Sequence, residues 1–251
     1  DVHVHKHWLS NLAPVFSDAD VAAAQPKMKA EESPKHFEYA GACGGYLDKL
    51  GYPFCRGRVM DHLEVDEGQY DLQTDIFWAS GAALAVRNEV FTDLDGFDED
   101  FEFHMEEIDL CWRIQNRGYR VVCEPASVVY HLGGGSLPMG SPRKVYYNFR
   151  NSLQMLWKNW SLSSLLIRFP LRLALDVVAA WRELFSGKST DFAAIAKAHL
   201  YFFSHWPSIH AKRRQEVADR NRHADPESIK KLSLIWQYFV KGKKTYKELN
   251  P

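Results

Sequence analysis

With 251 residues, 46% of them hydrophobic and 25% charged, the chain is long and apolar enough to bury a core, which excludes a disordered polymer. The net charge of −1 conceals a split: residues 1–136 carry 11 Lys+Arg against 24 Asp+Glu, and residues 137–251 carry 20 against 8. An acidic first part suits cation binding, and a basic second part suits an anionic surface.

In chain order, Asp1 to His5 alternates as a short strand, with His3, His5 and His7 sharing one face. A polar outer face explains the three histidines more simply than a zinc site, for which no supporting second shell can be named. Trp8, Leu9, Leu12 and Val15 recur at helical spacing, with a bend at Pro14. Val21 to Gln25 reads as a buried strand closed by Pro26. From Glu31 to Asp75 periodicity fails, and scattered glycines among aromatics indicate a long ordered loop or a small β excursion. Arg56 and Arg58 there could hold a phosphate or sugar, or simply face solvent. Cys43, Cys55, Cys111 and Cys123 show no metal-ligand spacing, and a Cys43–Cys55 disulfide is disfavoured.

Phe77 to Val86 reads as a buried strand with a Ser80-Gly81 break. Asn88 is placed to cap a short helix stopped at Gly96. Carboxylates then crowd the chain at Asp98, Glu99, Asp100, Glu102, Glu106, Glu107 and Asp109. A helix is predicted over Met105–Arg117, with Glu106 and Glu107 in its first turn, where its dipole favours negative charge. Either one faces a cleft as a general base or both merely serve the helix start. Asp109 and Arg113, four apart, read as an ordinary helix salt bridge. Val128 to His131 is β-like and opens into Gly133-Gly134-Gly135. Acids and a histidine gathered between strand ends are materials for metal and acid/base chemistry.

Five segments then carry a resemblance: Ser-Gly-Ala-Ala-Leu from Ser80, Gly-Phe-Asp-Glu-Asp-Phe from Gly96, Met-Glu-Glu-Ile-Asp-Leu-Cys-Trp-Arg from Met105, Gly-Tyr-Arg-Val-Val from Gly118, and Val-Val-Tyr-His-Leu-Gly-Gly-Gly-Ser from Val128. In order and spacing they resemble the second half of family-2 glycosyltransferases with a GT-A fold, the bacterial rhamnosyltransferase-like subgroup in particular. A weaker match continues into Tyr146-Tyr-Asn-Phe-Arg-Asn151. The resemblance implies an inverting transfer from a nucleotide-sugar donor to a glycan or lipid-linked acceptor, with Mg²⁺ or Mn²⁺ as cofactor. It implies Glu107 as catalytic base, at the position where relatives commonly have Asp, with Glu106 beside it. Asp1 and His131 are the implied metal ligands, and Trp78, Ser80 and Gly81 the acceptor side; Arg113, Gly134 and Ser136 are assigned to the donor side. Family members carry a nucleotide-binding half before the position of Asp1. The chain is therefore expected to be the second part of such a domain, either self-associating through exposed strand edges or leaving its first residues unstructured.

After a linker at Pro138–Pro142, helices are predicted at about 143–158, 162–185, 190–205 and 226–240, with a kink at Pro170 and Asp225 as N-cap of the last. No uncharged run is long enough to span a bilayer. Apolar-aromatic faces beside Arg and Lys fit either an ordinary helical subdomain or helices on an anionic membrane surface. The basic clusters lack a recognition motif, so nucleic acid is not an expected partner. The expected fold is α/β: part of a GT-A nucleotide-diphospho-sugar transferase fold, a mixed sheet with flanking helices (residues 1–136), followed by a basic α-helical region (residues 137–251). The expected location is the cytoplasm, at the inner face of the cell membrane. The alternatives are a noncatalytic remnant binding carbohydrate or lipid headgroups and, more weakly, a metal-dependent hydrolase.

Overall fold

The computed structural model describes residues 2–133 and 140–251. Its main sheet is mixed and centres on two long strands, β2 (Val21–Ala30) and β9 (Arg120–His131), which run parallel. β1 (Val2–Val4) pairs antiparallel with β9, with Val2 opposite His131. β7 (Thr74–Asp75) also pairs with β9, and β8 (Ala85–Val86) closes the other edge against β2.

Two departures from sequence expectation occur here. β2 does not stop at Pro26 but continues to Ala30. Proline cannot donate to a ladder, and the register shifts between Pro26 and Lys27, where β9 skips from Glu124 to Val128. The anticipated strand from Phe77 to Val86 is also broken up. Phe77, Trp78 and Ala79 are buried, the chain turns at Ser80 with Ala83 N–H donating to Ser80 O, and only Ala85–Val86 rejoin the sheet.

The aperiodic segment before it is a small antiparallel meander of β3 (Gly45–Leu47), β4 (Pro53–Cys55), β5 (Arg58–Val59) and β6 (His62–Leu63). It lies tight on the Phe77–Ala79 segment: a Cβ on Gly45 would fall 2.0 Å from the Trp78 ring, so only glycine fits. All four cysteines are free and buried, and Cys43 neighbours Cys123 rather than Cys55, Sγ to Sγ 3.7 Å.

Two helices lie between β8 and β9: α2 (Asn88–Asp93) and α3 (Glu106–Asn116). Asn88 begins α2 instead of capping it, because the Arg87 guanidinium is drawn back to the carbonyls of Phe16, Asp18 and Val21. The C-terminal region is helical, with α4 (Pro142–Asn159), α5 (Leu162–Phe185), α6 (Ser189–Ser204) and α7 (Trp206–Asp219). α4 opens on a Ser141 cap followed by Pro142, and α5 runs unbroken through Pro170. α7 falls where no helix was predicted, and the helix expected over 226–240 is reduced to one π turn, Trp236–Val240. Asp225 caps a different helix: its carboxylate accepts from Ser161 N–H at the start of α5 and pairs with Arg168. A final turn, α8 (Tyr246–Leu249), carries a Thr245–Glu248 capping box.

One apolar core joins the two regions, with Phe77, Trp112, Met155, Trp160 and Phe202 in the same buried cluster. The Asp109–Arg113 pair belongs to this interior and is not a surface helix bridge. Asp109 is fully buried and accepts from Arg113 Nε, Lys158 Nζ and Asn159 Nδ2, each at 2.8 Å.

Candidate active site

The N-terminus of α3 is the most unusual backbone in the protein. His104 and Met105, which lead into it, both adopt left-handed φ values, +65° and +73°. Neither is glycine, and two consecutive residues of this kind persist only where their surroundings enforce them. The enforcement comes from α4. Asn151 Nδ2 donates to Phe103 O at 2.7 Å and His104 O at 2.8 Å, and Arg150 Nη2 donates to Asp100 O at 2.6 Å. Tyr147 hydroxyl hydrogen-bonds to Glu102, and Arg143 lies over the Phe103 and Tyr147 rings. The Tyr-Tyr-Asn-Phe-Arg-Asn run thus fixes the turn that presents Glu106 and Glu107.

Both glutamates are half-buried, and Oε2 of each is a buried oxygen with no hydrogen-bond partner among the described residues. Burial, then the neighbouring Glu106 charge, pushes the Glu107 carboxyl up to about 8, against a smaller opposing pull from its own helix N–H groups. Glu106 is raised as well, chiefly by burial. His104 beside them has a buried Nε2 without a partner among the described residues, and burial, then the Lys144 charge, lowers its pKa to about 4. Its imidazole is therefore neutral at pH 7.

A second group of residues joins this corner from the meander and the end of β9. Glu38 is buried, its Oε2 accepting from Ala40 N–H at 2.6 Å and its Oε1 lying 3.1 Å from His131 Nδ1. A Cβ on Gly133 would sit 3.4 Å from the same Oε1. The Cys55 thiol is pushed up by burial, against the pull of the neighbouring Arg58 charge and with smaller upward contributions from the charges of Glu38 and Glu107. Arg58 is buried over the Tyr39 ring at 4.6 Å and donates to Cys55 Sγ and Met60 O.

The sequence candidates divide accordingly. Glu106, Glu107 and Gly81 come together: Gly81 is exposed, and a Cβ on it would lie 3.8 Å from Glu107 Cβ. Ser80 is buried and shapes the turn, its N–H donating to Gln25 Oε1. Trp78 is buried in the wall behind, its Nε1 donating to Tyr46 O. His131 reaches the corner through Glu38. Arg113 does not come near it; its guanidinium is held by Asp109 and by the carbonyls of Leu94 and Gly96, bordering a separate cavity of about 330 Å³. Asp1, Gly134 and Ser136 lie outside the described residues, although Val2 pairs with His131. The exposed His3 bonds Glu31, and among the described residues no three His, Cys, Asp or Glu side chains are grouped to hold a metal. Sequence reasoning missed Glu38 and Cys55 and gave Asn151 no role. Only Asn151 lay in a segment already marked by resemblance.

No family model matches the chain. Among curated proteins it is similar to the pre-mycofactocin glycosyltransferase of Mycobacterium tuberculosis, 27% identical over 59% of this chain and 28% of that protein. The dTDP-rhamnosyl transferase RfbF of Shigella flexneri is 29% identical over 43% of this chain and 40% of its own length. The N-acetylglucosaminyl-diphospho-decaprenol L-rhamnosyltransferase of M. tuberculosis is 39% identical over a shorter stretch, 22% of this chain and 18% of that protein. The chain thus spans well under half the length of the relatives it matches. A solved structure of GalNAc-T7 with UDP, GalNAc and Mn²⁺ aligns over 82% of this chain and 40% of that one, at 15% identity and a TM-score of 0.46. A likeness at that level carries no chemistry. The sequence relatives are bacterial glycosyltransferases, rhamnosyltransferases among them, in agreement with the motif resemblance.

Proposed function

We propose, taking the similarity to bacterial glycosyltransferases as premise, that the chain supplies the acceptor side of an inverting, divalent-metal-dependent glycosyltransferase, in which Glu107 is the base. The observation that carries this reading is the half-buried Glu107 carboxylate, raised to about 8 and next to the exposed Gly81. A general base works best with a pKa near the operating pH, and a partnerless oxygen is free to accept an acceptor hydroxyl's proton. Glu106 points about 100° away around the helix, so it tunes Glu107 by its charge and does not share its role. The Asn151 clamp keeps the carboxylate in place, as transfer requires.

The described residues do not form a complete metal cage, but they fit a cation that arrives on a donor diphosphate. Such ions keep one or two protein ligands and take the rest from substrate phosphates and water. His131, oriented by Glu38, would be one ligand, and Asp1 the other by resemblance. The ion would neutralise charge developing on the leaving diphosphate.

Because two relatives are named as rhamnosyltransferases, dTDP-rhamnose is the first donor to test. Glu107→Gln should lower transfer to acceptor by about 10²–10⁴-fold while leaving donor binding nearly intact. A larger loss from Glu106→Gln would reverse the assignment within the pair. Binding of donor or glycan with no transfer by the unaltered protein would favour a noncatalytic remnant.

A further inference from the structure

Helix α5 has two unlike faces. One is buried against the rest of the protein through Leu165, Phe169, Arg172, Asp176 and Ala180. The other faces water and should be polar on an ordinary surface helix. Instead it carries Leu162, Leu166, Ile167, Val178, Trp181 and Phe185 in the open, Ile167 75% and Phe185 83% exposed. At 1.5 Å per residue, the 24-residue helix lays out a continuous apolar stripe roughly 36 Å long. Single exposed apolar residues are common, but a stripe of this length marks a contact surface.

The surrounding charge narrows what could cover it. Neither acid of the helix is free to face outward. Asp176 is buried against Arg172, and Glu183 bridges to Arg182 and Lys188. Both of those cations keep their side chains largely exposed, at 68% and 62%. Arg182 also lies over the Phe239 ring, which brings the π turn beside the helix with its exposed Trp236 and Val240. Exposed Lys241 and Lys244 follow directly. An acid-free apolar stripe with one basic, tryptophan-bearing end is complementary to anionic headgroups over an acyl layer. A second copy pairing in parallel would set this basic end against itself, and no acid on the stripe offers a counter-charge to an antiparallel one. No helix among the described residues is long and apolar enough to cross a membrane, so the stripe fits a helix lying on the surface.

We propose that the outward face of α5, together with the Trp236–Val240 turn, docks on a lipid bilayer containing anionic lipids. The stripe sits at the acyl boundary, with Arg182, Lys188 and the lysines after Val240 among the phosphates. The inference is independent of the transferase reading, and so is its test.

The 251-residue chain is mixed with vesicles of phosphatidylcholine, with or without roughly a third phosphatidylglycerol, at about 0.1 M salt, and the bound fraction is measured by sedimentation. The chain should bind the anionic vesicles and release as salt rises. The double substitution Ile167→Glu and Val178→Glu alters exposed side chains only, so its melting temperature should hold while binding falls at least tenfold. Arg182→Gln and Lys188→Gln should each cost about fivefold on anionic vesicles and nothing on neutral ones. Failure to bind, equal binding to both vesicle types, or full binding by the double variant overturns the proposal. So does a two-chain mass in solution that the double variant splits, in the absence of vesicle binding.

Discussion

The carboxylates around α3 fall into two groups with opposite environments. Glu106 and Glu107 sit like charge beside like charge, each with an oxygen lacking a partner among the described residues, and both carboxyls are raised. Asp98 and Asp109, nearby in sequence, are overmatched by cations. Lys158 joins the two of them, Lys212 pairs with Asp98 and with Asp100, and Arg113 holds Asp109. For Asp98, burial alone would raise the carboxyl, but Lys158 and Lys212 outweigh it and hold the group far below the usual range. The difference comes from α4, whose first part offers backbone clamps and whose last turn offers Lys158 and Asn159. Acids that meet the second end fasten the fold, whereas acids that meet the first are held uncomfortable and available.

The sharpest way to break this contrast is to remove one charge from each group. Glu107→Gln should lower sugar transfer by about 10²–10⁴-fold, the usual contribution of a positioned base. Its melting temperature should stay level or rise, since a buried like-charge repulsion is relieved. Asp109→Asn should do the reverse, destabilising by about 3–5 kcal/mol because Arg113 keeps buried charge without an anion and Lys158 loses one of its two. Transfer per folded molecule should then change little. Chemical denaturation and transfer assays on both variants check the pair, and equal effects on stability would erase the distinction.

A smaller effect is expected at the clamp. Asn151→Ala leaves the carbonyls of Phe103 and His104 without their donor, costing about 1–3 kcal/mol. If the left-handed His104–Met105 turn relaxes, transfer should fall more than donor affinity does. An unchanged transfer rate would mean that the turn holds its shape without α4.

Much of this was legible in the chain, for identifiable reasons. Helix α3 announced itself through its acidic first turn and Gly118, and α4 and α5 through their apolar periodicity. The Glu106-Glu107 pair was found because the motif is local. Glu38 and Cys55 were not, since they lie 69 and 52 positions from Glu107 in a segment without period, and only the folding of the meander brings them in. Pro26 misled because a strand tolerates proline where a bulge removes the need for its N–H. Asp225 and Pro226 read correctly as cap chemistry but for the wrong helix; a side chain's reach to Ser161 is tertiary information. Asp109 and Arg113 at four-residue spacing could not reveal that Lys158 would bury them.

The last and smallest test uses pH, because the two groups titrate with opposite sign. Glu107 has its pKa raised from an ordinary 4.5 to about 8, so the folded state holds that proton more tightly than the unfolded chain. Its contribution to stability is complete below about 4.5 and is lost as pH rises through about 8. Asp98 is shifted down, so its contribution is present above the ordinary carboxylate range and disappears as pH falls below it. Stability should therefore decline on both sides. On the alkaline side the decline should be about 1–2 kcal/mol once solvent screening and the Glu106 charge are allowed for. Glu107→Gln should flatten the alkaline decline and leave the acid limb intact, whereas Asp98→Asn should weaken the acid limb alone. Transfer should rise with pH over the window in which Glu107 weakens the fold, because one deprotonation both arms the base and strains its pocket. Denaturant midpoints from pH 3 to about 9, taken alongside rate profiles, check the coincidence. If the alkaline decline survives in Glu107→Gln, the titrating group is another one in that corner, with Glu106 first in line.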